Sequence, residues 1–69
     1  MVEVFKTDVQ TKTQSEELIS VLSELFPDFK INFDLSDCDR ILRVEGNDLP
    51  PYKITEILNT RFYQCDLIE

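Results

Sequence analysis

Apolar residues recur along the chain with two spacings, one typical of strands and one typical of helices. The first strand-like stretch begins at Val2. The stretch from Val2 to Val9 is rich in β-branched and aromatic residues, which favours a strand. Phe5 falls out of phase with Val2 and Val4. We therefore expect either a bulge in this strand or a solvent-exposed Phe5.

A helix is predicted next, because the apolar spacing changes to three and four residues. Thr13-Gln14-Ser15-Glu16 matches a capping box, in which a Thr hydroxyl and a Glu carboxylate satisfy free N–H groups at a helix start. Pro27 cannot continue the helix, so it ends near Phe26. Its apolar stripe consists of Leu18, Val21, Leu22, Leu25 and Phe26.

Two strands joined by a turn are predicted in the middle of the chain. Apolar and polar residues alternate from Lys30 to Leu35, as in a strand covered on one face. A further strand is predicted from Arg40 to Glu45, with Leu42 and Val44 inward. Ser36-Asp37-Cys38-Asp39 between them is typical of a turn, because Ser and Asp side chains bond to nearby backbone N–H groups. The two strands therefore form a hairpin.

A second helix and a short last strand complete the pattern. Pro50-Pro51 favours a helix start, since the first-turn N–H that Pro51 lacks has no helical partner anyway. The stretch from Cys65 to Ile68 is predicted as a strand with Cys65 facing inward. The core stripe predicted for the second helix consists of Ile54, Ile57, Leu58 and either Arg61 or Phe62.

This order of elements predicts a ferredoxin-like β-α-β-β-α-β sandwich of the α+β class. Two right-handed crossovers would give an antiparallel four-stranded sheet of order 4-1-3-2, with both helices on one face and the other face open. A chain of 69 residues supports one core, so residues 1–69 are expected to form a single domain. The loop after the first strand, the hairpin turn and the loop before the last strand should lie at one end.

The composition of the chain narrows the range of possible functions and partners. Seven basic and fourteen acidic side chains give a net charge of −7, which disfavours nucleic acid and anionic membrane surfaces as partners. The chain has no histidine and two cysteines, Cys38 and Cys65, so we expect no catalytic residues, no cofactor and reduced thiols. The start Met1-Val2-Glu3-Val4 does not resemble a signal peptide, and the expected location is the cytoplasm.

Some positions match a known family of this fold. Leu18 is an apolar residue four positions after Gln14, and Phe62-Tyr63-Gln64-Cys65 follows the second helix. In these features the chain resembles the heavy-metal-associated domain family, which includes small copper chaperones and the metal-binding modules of metal-pumping ATPases. That family carries a Met-x-Cys-x-x-Cys loop after its first strand and a Gly-Tyr-x-Ala pattern near its end.

The resemblance implies a family member without its metal ligands. Val9 takes the place of the family's Met, and Thr11 and Gln14 take the places of its two cysteines. Phe62 replaces the family's Gly, and Cys65 replaces its Ala. Since Thr and Gln side chains are poor ligands for soft metals, no metal is expected at this loop.

Two other families of this fold match less well. Regulatory amino-acid-binding domains of the ACT type use glycine in their ligand loops, whereas Gly46, after the third strand, is the only glycine here. An acylphosphatase needs an Arg in an anion-binding loop beside the first helix. The corresponding residues, 7–14, offer only Lys12.

The acidic residues and cysteines allow two metal hypotheses. Asp37-Cys38-Asp39, with Asp34 nearby, could hold a divalent ion, but the stretch lacks the Gly and terminal Glu of a calcium loop, and a solvated turn is favoured. Cys38 and Cys65 are predicted at the same end of the molecule, about three strand spacings of ~4.8 Å apart, too far for a shared ion. The rival hypothesis is a soft-metal carrier that uses Cys38 or Cys65, for example by sharing one thiol per subunit across a dimer.

The function favoured by the sequence is a non-enzymatic protein-interaction module. The open sheet face is the expected interface, with Phe5 and Ile41 as neighbours at its centre and Ile68 further along. The partner would be an unidentified protein or a second copy of the chain. The alternative for each of these residues is ordinary surface exposure.

Overall fold

Six elements follow the predicted order in the computed structural model, which describes residues 1–36 and 38–68. They are β1 (Val2–Thr7), α1 (Lys12–Leu25), β2 (Lys30–Asp34), β3 (Ile41–Glu45), α2 (Pro51–Thr60) and β4 (Cys65–Ile68). All pairings in the four-stranded sheet are antiparallel, and its order is β2-β3-β1-β4. This is the predicted order counted from the opposite edge, so the ferredoxin-like fold is confirmed.

The phase of β1 differs from the prediction. Phe5 is fully buried and lies opposite Leu42 of β3 and Leu67 of β4, on the face that the helices cover. The prediction of an exposed or bulged Phe5 is therefore wrong. Strand alternation requires Val2 and Val4 to point to the other face, and Val2 is 49% exposed. The two valines have the spacing of core residues in the sequence, but the larger Phe5 is the residue that is buried in the core.

The N-cap of α1 lies two residues before the predicted one, Thr13. It is Thr11, whose hydroxyl oxygen accepts a hydrogen bond from the Gln14 N–H at 3.1 Å. The Gln14 side-chain oxygen accepts in return from the Thr11 N–H at 3.2 Å. The capping box is thus built from Thr11 and Gln14, not from Thr13 and Glu16.

One hydrophobic core lies between the helices and the sheet. Leu18 and Leu22 of α1 and Ile54 and Leu58 of α2 are almost completely buried in it, whereas Leu25 is 57% exposed. Leu25 is therefore not part of the core, contrary to the predicted stripe. The buried apolar residues of the core are Phe5, Val9, Leu18, Leu22, Ile31, Leu42, Val44, Leu49, Ile54, Leu58 and Cys65.

Gly46 is required by close packing against Phe29. A Cβ atom at this position would lie 2.2 Å from the Phe29 ring, a separation that a side chain cannot adopt without moving the ring. The Phe29 ring is held in turn by stacking on Phe26, with ring centroids 5.1 Å apart. The single glycine of the chain thus allows the segment after β3 to pass beside the segment after α1.

Helix α2 ends in a Schellman motif, and this removes Phe62 from the core. The Phe62 N–H donates to the Asn59 carbonyl at 3.0 Å, and the Tyr63 N–H donates to the Leu58 carbonyl at 3.0 Å. Phe62 has a left-handed φ of 70° and is 96% exposed. The prediction that Arg61 or Phe62 completes the core stripe is wrong, because the helix ends at Thr60 and both residues are exposed.

The left-handed conformation of Phe62 predicts a stabilising substitution. Phe62→Gly should raise the free energy of unfolding by about 1 kcal/mol, because glycine has no Cβ to be strained at positive φ. The exposed ring loses little burial in the exchange. Phe62→Ala is the control, since it removes the ring but keeps the Cβ, and it should leave stability nearly unchanged in urea denaturation. Equal effects of the two substitutions would contradict this account.

Candidate functional site

The loops at one end of the sheet are joined through Thr7, the last residue of β1. Its buried hydroxyl donates a hydrogen bond to the Arg40 carbonyl at 2.6 Å and accepts one from the Val9 N–H at 3.3 Å. The Thr7 N–H donates to the Asp39 carbonyl at 3.2 Å. Thr7 therefore fixes the loop after β1 against the segment that leads into β3.

Two further side chains extend this network. The Asp8 carboxylate accepts a hydrogen bond from the Gln64 N–H at 2.8 Å, which joins the loop after β1 to the loop before β4. The Arg40 guanidinium donates to the carbonyls of Leu35 at 3.0 Å and Gln10 at 3.4 Å. The loop after β1, the hairpin and the loop before β4 thus meet at one end, as predicted.

Thr11 and Gln14, which the resemblance to the heavy-metal-associated family predicts at the places of its two cysteines, serve a structural purpose. Thr11 and Gln14 bond to each other's backbone N–H groups in the capping box of α1, and the Gln14 side chain also accepts from the Gln10 N–H at 3.0 Å. Val9 is fully buried. The side-chain oxygens of Thr11 and Gln14 are therefore used to cap the start of α1.

Cys65 is a buried thiol on the helix-covered face, as its position in β4 predicted. Burial raises its pKa to about 11 from an ordinary value of 9.0; a hydrogen bond with Thr55 opposes the rise, and the nearby Asp66 carboxylate adds to it. The thiol is therefore protonated at neutral pH. A protonated thiol is a weak nucleophile and a weak metal ligand.

The second cysteine, Cys38, lies in the segment between β2 and β3, close in sequence to several carboxylates. Cys38 is an exposed free thiol. Asp34 accepts two hydrogen bonds from Ser36, and Asp37, part of the hypothetical divalent site, lies outside the described residues. Within residues 1–36 and 38–68, no three acidic, cysteine or histidine side chains are grouped so that they could hold a metal ion.

The open sheet face carries an apolar group that differs from the predicted one. Val4 lies directly opposite Ile68 of β4, with Val2 two residues along the same strand, and Ile41 is diagonal to Val4 on β3. Ile41 and Ile68 are thus on this face as predicted, whereas Phe5 is not. We name Val2, Val4, Ile41 and Ile68 the open-face patch. The two valines could have been found from the sequence by placing the bulky Phe5 inward.

Charges on the open face are balanced. Lys30 of β2 lies opposite Glu45, and Lys6 of β1 lies opposite Asp66, with Lys6 also 3.6 Å from the Asp39 carboxylate. Since the chain as a whole has a charge of −7, this face is far less acidic than the rest of the surface. The charged residues of β1 to β4 that share this face are Lys6, Lys30, Arg43, Asp34, Glu45 and Asp66.

The helical side also exposes large apolar residues. Tyr52 is 85% exposed and Phe62 is 96% exposed. Tyr52 lies in the first turn of α2, and Phe62 lies two residues after the helix ends at Thr60. A groove of about 220 Å³ between the helices is lined by Leu25 and Ile57, with charged Lys53 and Arg61 among its other lining residues.

Comparisons with family models, curated proteins and solved structures found no match to this chain. Among residues 1–36 and 38–68, no helix is long and apolar enough to cross a membrane.

The buried thiol of Cys65 predicts a loss of stability at high pH. Between the ordinary pKa of 9.0 and the folded-state value of about 11, the unfolded chain has released this proton and the folded chain retains it. The contribution of the Cys65 thiol to the free energy of unfolding is therefore complete below pH 9 and falls by roughly 2–3 kcal/mol as pH rises through 11. Urea denaturation across this range measures the decline.

Other groups titrate in the same range, so the test needs a control. Cys65→Ala removes the thiol and should give a flatter decline between pH 9 and 11, whatever its effect at neutral pH. Parallel curves for the wild type and Cys65→Ala would mean that the thiol titrates normally in the folded protein.

Proposed function

We propose that this chain is a non-enzymatic protein-interaction domain that binds a different protein through its open sheet face. The observation that carries the proposal is the open-face patch. Val2 and Ile68 are 49% and 42% exposed, and Val4 and Ile41 lie beside them on a rigid sheet. Exposed apolar groups of this kind on a small domain often mark a binding surface.

Charge favours this face over the rest of the surface. Because the whole protein has a charge of −7 and the open face is balanced, the excess of carboxylates lies elsewhere, where an acidic partner would meet a repulsive field and any partner would have to desolvate carboxylates. Around the open-face patch, acidic and basic side chains balance. We infer that the partner presents an apolar centre surrounded by charges of both signs.

We further propose that the domain is a degenerate relative of the heavy-metal-associated family. Two observations support this. The residue in place of the family's glycine, Phe62, has a φ of 70°, a conformation that glycine adopts without strain. The residues in place of the two cysteines, Thr11 and Gln14, stand at the N-cap and third position of the first helix.

The soft-metal carrier is the weaker proposal. Cys65 is buried and protonated at neutral pH, so binding a metal there would require both deprotonation and opening of the core. Cys38 is exposed but offers one thiol per chain. No observation favours metal binding over the interaction surface.

A cross-linking experiment identifies the partner and locates its site. A photoreactive amino acid is placed at position 4 on the open face or at position 52 on α2, and the protein is irradiated in its native cell. We expect a specific product from position 4 and none from position 52, because Val4 lies in the proposed interface and Tyr52 lies on the opposite layer.

Binding to the purified partner then tests the surface directly. Val4→Lys should weaken the affinity at least about tenfold, since it places a charge in the centre of the contact. Tyr52→Lys introduces the same charge on the helical side and should bind as the wild type does. Weaker binding by Tyr52→Lys alone, or cross-linking only to another copy of the chain, would contradict the proposal.

A further inference from the structure

Strand β2 forms one edge of the sheet. The pairing shows which of its residues direct their backbone N–H and C=O groups towards β3 and which direct them outward. The Gly46 N–H donates to the Met1 carbonyl at 3.0 Å, so even-numbered residues of β3 direct their backbone groups towards β1. Odd-numbered residues of β3 then face β2. Because β2 pairs Asn32 with Arg43, its own even-numbered residues bond to β3.

The alternate residues of β2 direct their backbone groups away from the sheet. These are Ile31 and Phe33, whose N–H and C=O groups have no bonding partner among residues 1–36 and 38–68. An edge with free groups at two alternate residues is a template for another strand.

The sequence of β2 complements itself when it is reversed. In an antiparallel pair of two Lys30–Asp34 strands centred on Asn32, Lys30 of each copy lies opposite Asp34 of the other. Ile31 of each copy lies opposite Phe33 of the other. The residues with free backbone groups therefore oppose each other, so both Ile31–Phe33 pairs are of the hydrogen-bonded type.

Side-chain directions agree with this pairing. Lys30, Asn32 and Asp34 are exposed on the open face, where the opposite charges of two copies would meet. Ile31 and Phe33 point to the helical side, where a groove of about 380 Å³ beside β2 is lined by Ile19, Phe33 and Leu35. The second copy's Ile31 would lie beside Phe33 at this groove.

We propose that β2 is a self-association edge, at which a second copy of this chain pairs antiparallel about a two-fold axis through Asn32. The result is a continuous eight-stranded sheet. Its interface is isologous, so each contact occurs twice. The self-association surface assigned here is the β2 edge rather than the open-face patch, and the proposal holds whether or not that patch binds a partner.

The dimer is expected to be weak and strengthened by salt. The paired strands are short, and two copies with a charge of −7 each repel each other. Salt weakens this long-range repulsion more than it weakens the attraction within the close Lys30–Asp34 pairs. Self-association should therefore appear at high protein concentration and increase as salt is raised.

A charge exchange tests the register. Lys30→Asp places two acidic residues on each edge, and Asp34→Lys places two basic ones. Each variant alone would oppose like charges across the two-fold axis, so we expect dimerisation at least about tenfold weaker than in the wild type. An equal mixture restores both opposite-charge pairs and should form a heterodimer of about wild-type affinity. Sedimentation equilibrium with one component labelled measures all three.

Matched controls separate the effect of the β2 edge on dimerisation from the effect of the total charge. Lys6→Asp and Asp66→Lys change the net charge by the same amounts but lie on β1 and β4, away from β2, and each should dimerise as the wild type does in high salt. Val4→Lys should also leave the dimer intact. A wild type that stays monomeric near millimolar concentration, or a Lys30→Asp and Asp34→Lys mixture that fails to associate, would overturn the proposal.

Discussion

The phase of β1 is the constraint on which the rest of the structure depends. This strand is hydrogen-bonded on both sides, to β3 and to β4, so its alternation sets which face of each neighbour is covered. With Phe5 inward, Leu42 and Leu67 face the helices, and Val4 and Ile68 face outward. A shift of one residue would exchange the core and the open-face patch.

The same strand also determines what the loop end can do. Thr7, its last residue, uses its N–H and its hydroxyl to hold the loop after β1 and the start of β3. Thr11 and Gln14 cap α1, and Asp8 binds the loop before β4. The polar side chains of Thr7, Asp8, Thr11 and Gln14 are thus engaged in holding the loop end of the fold together.

Much of the fold was predictable because strong local signals agreed with each other. The alternation that begins at Lys30 placed β2 correctly, and Pro51 placed the start of α2 correctly. The order of the elements then left one compact topology. The start of α1 was misplaced because Thr11 and Thr13 are both followed three residues later by a suitable partner. Only the folded loop distinguishes the two.

The candidate surface was predicted less well, for a different reason. Val2 and Val4 alternate as core residues do, and local pattern alone does not indicate that the outer positions of β1 are apolar as well. The sequence predicts Arg61 or Phe62 in the core because it does not show where the Schellman motif turns the chain. The self-complementarity of β2 became meaningful only when its edge position and hydrogen-bonding direction were known.

The phase of β1 can be tested in the unmodified protein by solvent paramagnetic relaxation in NMR spectra. A soluble paramagnetic agent broadens signals from surface protons and spares buried ones. The account predicts strong broadening of the Val2 methyl signals, intermediate broadening for Val4, and little effect on the Phe5 ring, which is fully buried. A strongly broadened Phe5 ring together with protected Val2 and Val4 methyl groups would contradict it.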